Sequence, residues 1–166
     1  MVINVEVEGL KVFDDKIKKL GNLQNFWHSV GDYMQRRTIK ECFDKEQSPD
    51  GVKWRQLSDA RHNERSKRGS YKILSDTGEL RRSVKYKAFS NYVIIGSNLK
   101  YSRIHQFGGK ITVTPKMRKF LHYKGIHLKR STSYVTIPPR PFLGVTMSDK
   151  RHIANMFTLY LRRTNV

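Results

Sequence analysis

Leu74 to Gly109 reads LSDTGELRRSVKYKAFSNYVIIGSNLKYSRIHQFGG, and three local signals succeed one another there without a gap. Thr77 followed by Gly78, Glu79 and Leu80 predicts a short helix: the threonine hydroxyl can accept an orphan backbone N–H, and Glu79 suits the positive end of the helix. From Val84 the period changes to two. Val84, Tyr86 and Ala88 alternate with Lys85 and Lys87, and Ser90-Asn91 is turn chemistry before the run Tyr92-Val93-Ile94-Ile95. A β-hairpin is expected, its second strand central and covered on both sides because both its faces are apolar. Gly96-Ser97-Asn98 interrupts that strand. A helical turn from Tyr101 to Phe107 then ends at Gly108-Gly109, since glycine readily takes the left-handed conformation that terminates helices.

Upstream, Ile3, Val5 and Val7 alternate with polar residues as a half-buried strand that Gly9 ends. A short amphipathic helix through Val12, Phe13, Ile17 and Leu20 is stopped by Gly21, and a longer helix runs from Leu23 to Glu46. Phe26, Trp27, Val30, Tyr33 and Met34 form its inward face, whereas Ile39 and Phe43 rotate away, which suggests a second surface such as another subunit. Residues 47–73 read as a mobile loop. Ser48-Pro49-Asp50-Gly51 is turn chemistry and Arg61 to Lys72 has almost no apolar anchors, so Trp54 is expected to pin the loop to the core.

Downstream, Ile111 to Thr114 reads as a strand. Phe120 to Tyr123 and Ile126 to Leu128, about Lys124-Gly125, read as a projecting hairpin, a basic arm over residues 115–131. Lys116, Arg118, Lys119, Lys124, Lys129 and Arg130 crowd it, with Phe120 and Tyr123 interleaved; these are the candidate interface or DNA-facing residues. Tyr134 to Ile137 is a last strand, and Pro138-Pro139-Arg140-Pro141 must be extended. A final helix begins at Ser148 as N-cap and buries Ile153, Met156, Phe157, Tyr160 and Leu161. The expected fold is α+β: one domain, residues 1–166, with a mainly antiparallel sheet packed against the Leu23–Glu46 and Ser148–Arg163 helices.

Charge bounds the function. Residues 1–79 hold 15 basic and 13 acidic residues, net +2, while residues 80–166 hold 18 basic residues and the lone acid Asp149, net +17. Such a field attracts phosphate backbones or acidic protein surfaces and resists self-association. Acid–base and metal hydrolases need clustered carboxylates, which the second half does not supply. His122 and His127, on opposite faces of a hairpin, make a poor zinc site, and Gly108-Gly109 lacks the lysine of a phosphate loop. No metal, cofactor or catalytic residue is expected. Cys42, the single cysteine, reads as a small buried side chain. His105 and Gln106 are expected to hydrogen-bond the turn beside them, and Arg140, its backbone fixed by prolines, to fork onto a carboxylate or carbonyl group within the domain or a neighbour, or onto phosphate. The chain has no apolar run near the roughly 20 residues that cross a bilayer and no secretory leader, so no membrane partner is expected.

L-x-D-T-G-x-L-x-x-S at Leu74–Ser83, V-I-I-G at Val93–Gly96 and Y-S-x-I-H-Q-F-G-G at Tyr101–Gly109 resemble the phage virion morphogenesis family, also called tail completion or head-tail joining proteins. Ser48-Pro49-Asp50-Gly51 with Trp54, and Ile137-Pro138-Pro139-Arg140-Pro141-Phe142-Leu143-Gly144, are similar to its S-P-D-G-x-x-W and I-P-A-R-P-F-L-G blocks, with Pro139 in place of alanine. The resemblance implies a structural virion protein, not an enzyme, assembled in the host cytoplasm into a sixfold ring at the neck or proximal tail. Its partners would be further copies of itself, neighbouring neck or tail proteins, and genomic DNA passing through the ring. Trp54, Thr77, Gly78, Leu80, Gly96, His105, Gln106, Phe107, Gly108, Arg140, Pro141 and Phe142 then carry structural motifs. A sequence-independent nucleic-acid-binding module is the alternative.

Overall fold

A computed structural model describes residues 2–5, 21–67, 69 and 72–164. The helix expected through Val12 to Leu20 lies outside the described residues, as do Glu6 and Val7 of the first strand. Strands β1 (Val2–Val5), β2 (Val84–Ala88) and β3 (Val93–Ser97) form an antiparallel sheet in the order β1-β3-β2. The hairpin expected from Val84 to Ile95 is therefore present, with Val84 opposite Ser97 and Ala88 opposite Val93, and β3 is central. Gly96 stands between Val2 on one side and Lys85 on the other. Val84, Ala88, Val93 and Ile95 are buried while Lys85 and Lys87 face out, as the alternation requires.

Helix α1 (Gln24–Arg37) crosses this sheet with Phe26, Trp27, Val30 and Met34 buried. Its closest approach is at Gly31, where a Cβ would stand 2.2 Å from the ring of Tyr86, so only glycine lets that ring lie against the helix. The helix continues as a π-helix, Thr38–Asp44. In i→i+5 bonding each residue advances by less than the α-helical 100°, which turns Phe43 back toward the core. Phe43 is fully buried, with Phe142 at 5.4 Å and Trp54 at 5.8 Å between ring centroids. For Phe43, the second surface expected at the end of this helix is thus part of the same subunit. Cys42 is buried beside it, and burial pushes its thiol up to about 11, an inert side chain.

Where a loop was expected, residues 47–73 contain helix α2 (Asp59–Ser66). Its inner side is polar: Arg65, 3% exposed, donates to the Lys72 carbonyl at 2.6 Å, Arg61 pairs with Glu64 at 2.9 Å, and both arginines face Asp76. Ion pairs replace the apolar stripe whose absence concealed the helix. Helix α3 (Glu79–Ser83) begins at Gly78 rather than Thr77, whose hydroxyl accepts only a long 3.4 Å bond from the Glu79 N–H. Leu80 is buried beneath it, and the Tyr101 hydroxyl ties Glu79 at 2.6 Å.

Helix α4 (Ser102–Phe107) leads into strand β4 (Gly109–Thr112), which pairs with β5 (Tyr134–Ile137) in a separate two-stranded ribbon. Between them, helix α5 (Pro115–Tyr123) replaces the expected hairpin. Thr114 caps it, accepting from the Met117 N–H at 3.1 Å, and Pro115 occupies its first turn. Helix α6 (Met147–Arg163) packs on α1 through Ile153 and Phe157, the latter 5.1 Å from Phe26. Its N-cap is Thr146, not Ser148: the Thr146 hydroxyl accepts from the Asp149 N–H, and the Asp149 carboxylate accepts from the Thr146 N–H at 2.8 Å. The architecture is α+β.

Candidate functional site

The arm, β4-α5-β5, stands on a rigid base. Gly108 has φ 71°, and a Cβ there would meet the Pro139 nitrogen at 2.8 Å and the Ile137 carbonyl at 2.9 Å, so the two chains leave the body in a contact that only glycine permits. One residue earlier, Phe107 is 63% exposed. Gln106 is buried, and its amide reaches 37 residues ahead: Nε2 donates to the Leu143 carbonyl at 2.7 Å, and Oε1 accepts from the Phe142 and Leu143 N–H groups at 3.0 and 3.1 Å.

The rigid Pro138–Pro141 segment is fastened from the other side. The Arg140 guanidinium forks onto the Arg55 and Gln56 carbonyls at 2.9 and 3.1 Å, and the Arg140 N–H donates to the His105 carbonyl at 2.7 Å. Arg140 thus makes an intra-domain contact with carbonyl groups. Trp54 donates its indole N–H to the Pro141 carbonyl at 2.8 Å and is 4% exposed, so it does pin its loop. The three blocks SPDG-W, IHQFGG and IPPRPFLG meet at this joint.

Neither the His105 nor the Gln106 side chain bonds the glycine turn beside it as expected: Gln106 reaches residues 142 and 143 instead. The His105 Nδ1 has no hydrogen-bond partner among the described residues, and the ring lies edge-on to Tyr101 at 5.9 Å. Burial, then the Arg140 charge, lowers its pKa below the usual 6.5. The folded state therefore resists protonating His105 while the unfolded chain takes the proton freely. Stability from this group is present above pH 6.5 and is lost as the pH falls through the lowered folded value. Replacing His105 by glutamine is expected to reduce the drop in thermal midpoint between about pH 7.5 and pH 5; an unchanged drop would contradict this account.

On the arm, the structure sorts the predicted basic residues into two groups. Arg118 faces inward and is structural: its guanidinium donates to the Leu128, Lys129 and Thr132 carbonyls at 3.3, 2.9 and 2.8 Å, folding the loop after α5 back on the helix. Lys116, Phe120 and Tyr123 share the opposite, exposed face of α5, as their three- and four-residue spacing dictates, and the exposed Lys119 stands at its edge, where it also borders the hollow beside Arg118. Lys124 lies with its ammonium 5.8 Å from the centre of the Phe120 ring. Lys129 and Arg130 are exposed in the returning loop. Phe120 is 56% and Tyr123 84% exposed, and α5 has no buried residue. The pattern missed by sequence reasoning, Thr114-Pro115 at a helix start, was visible in the sequence.

His122 and His127 do not point apart; their Nδ1 atoms are 3.0 Å from each other. Arg118 and Lys119 line the same hollow, so the local field opposes a cation, and no cluster of three or more His, Cys, Asp or Glu residues occurs among the described residues. A second hollow, bordered by Arg36, Lys40, Asp50 and the start of α6, has its helix N-terminus already occupied by Asp149. Among the described residues, no helix is long and apolar enough to cross a membrane.

The sequence profile of the phage virion morphogenesis family matches residues 6–162. The chain belongs to that family. A Haemophilus influenzae (strain Rd) protein described as Mu-like prophage FluMu G protein 2 is 36% identical over 80 residues, 48% of this chain and 45% of that protein. The match thus spans less than half of either. No solved structure matches the chain. Membership of this family carries a structural role in phage virion morphogenesis.

Proposed function

We propose that the chain is a non-enzymatic tail completion or head-tail joining component, acting as a closed ring of identical subunits at the neck or proximal end of the tail. The arm is the observation that carries this reading. A two-stranded ribbon with a helix that has no fully buried residue is marginal by itself, yet here it projects from a joint locked by Gly108, Gln106 and Arg140. A rigid projection with exposed apolar residues is what a subunit offers to a neighbour in an assembly. Either the arm or the N-terminal segment bridges adjacent subunits, and the positive half delays assembly until a docking partner neutralises it.

Light scattering on the purified protein, alone and with neck and tail proteins of its phage, together with proteomics of purified particles, tests this. Rings in solution or on a partner, with the chain present in particles, are expected. A strict monomer under all conditions and absence from particles would overturn the reading.

The net charge of +17 on residues 80–166 favours a second reading, a sequence-independent nucleic-acid binder. Binding to duplex DNA would then fall steeply with salt, the slope losing about one unit for each contacting lysine removed.

A further inference from the structure

We infer that the exposed face of α5, formed by Lys116, Phe120 and Tyr123 with Lys119 and Lys124 beside it, docks into an apolar groove rimmed by carboxylates on a different virion protein. This rests on the reading of the chain as a virion component.

Three observations select that occupant. Residues 108–137 contain seven basic residues and no acid, so whatever covers the arm must bring negative charge. A second copy is itself net +19 and repels the arm, and its described acids supply little free negative charge. Asp32, Glu41, Asp44, Glu64 and Asp76 are paired with cations of their own chain, Asp149 is buried, Glu46 and Glu79 accept hydrogen bonds, and among the described residues only Asp50 and Asp59 have no partner. Duplex DNA supplies the charge but nothing for the aromatics: its bases are stacked inside, and phosphate contacts would leave Phe120 and Tyr123 as wet as before. An apolar groove buries both rings, and carboxylates at its rim meet the lysines on either side. The outer edges of the β4-β5 ribbon stay available for contacts within the ring.

The test places the photo-crosslinker p-benzoylphenylalanine at position 123, in place of Tyr123, in the full-length chain. Purified particles are irradiated and the adducts mapped by mass spectrometry. An adduct on a different virion protein, at a segment rich in Asp or Glu, is expected. An adduct on another copy of this chain, on DNA, or on nothing although the chain is present overturns the inference. Absence of the chain from particles overturns the ring reading instead, and the inference with it. A second measurement compares incorporation of Phe120→Ala with that of a Lys116→Ala, Lys119→Ala, Lys124→Ala triple variant. Since α5 has no fully buried residue, both should fold, which circular dichroism checks. Phe120→Ala is expected to reduce incorporation by about tenfold or more. Normal incorporation of Phe120→Ala alongside failure of the triple variant would point to phosphates and overturn the inference.

Discussion

Replacing Asp149 by asparagine is expected to destabilise the protein by about 3–5 kcal/mol, the range for breaking a buried ion pair. Asp149 is 2% exposed and stands 3.2 Å from Arg37, itself 11% exposed. Its carboxylate also accepts from the Tyr33 hydroxyl at 2.9 Å and from the Thr146 N–H and hydroxyl at 2.8 and 2.7 Å. Burial, then the hydrogen bond to Asp149, pushes the Tyr33 phenol up to about 12, so it remains a neutral donor. Asparagine preserves the shape and some of these bonds but leaves the Arg37 guanidinium buried with no counter-charge.

Arg37 also donates to the Pro49 carbonyl at 2.8 Å and the Gly144 carbonyl at 3.4 Å, so the pair joins α1, the Ser48–Gly51 turn and the start of α6. Urea unfolding checks the expectation. A double-mutant cycle with Arg37→Met should reveal a coupling of roughly 0.5–3 kcal/mol, since either single change strands the other charge. A loss below about 1 kcal/mol for Asp149→Asn would mean that water reaches the pair and that the lone acid of the positive half is dispensable.

Gln106→Leu is expected to cost about 3 kcal/mol or more, because one side chain of similar size leaves three buried backbone groups at residues 142 and 143 without partners. The loss acts at the base of the arm, so particle incorporation should fail together with stability. Gln106→Glu separates donor from acceptor. Its carboxylate can still accept the two N–H bonds, but it opposes the Leu143 carbonyl where Nε2 donated, and protonation restores the donor. The folded pKa of this glutamate should lie above its unfolded value, so the variant is relatively stabilised below the unfolded pKa and loses that stability as pH rises through the folded one. Relative to wild type it should therefore gain in thermal midpoint on acidification. A constant difference across pH would show that the Leu143 bond contributes nothing.

Wherever neighbouring residues carry the information, the sequence by itself determined the structure. Alternation and a turn specified the β2-β3 hairpin, helical spacing specified the buried faces of α1 and α6, and proline chemistry specified the extended Pro138–Pro141 segment. The indole of Trp54 and the guanidinium of Arg140 were legible because a large amphipathic side chain in a polar loop, or an arginine between prolines, has few other places to bind. The arm was misread because crowded lysines and a Lys-Gly dipeptide suggested a turn, while helix α5 depends on Thr114-Pro115 at its start and Arg118 closing the loop behind it. Helix α2 has no apolar stripe to reveal it; its ion pairs with Asp76 form only when the following segment folds over it. Only the tertiary structure could decide that Phe43 turns inward through a π-helix, that Gln106 serves residues 142 and 143, and that Asp149 meets Arg37 and Tyr33. In each case the partners lie tens of residues apart, and sequence spacing encodes which face a side chain occupies, not what distant chain comes to rest against it.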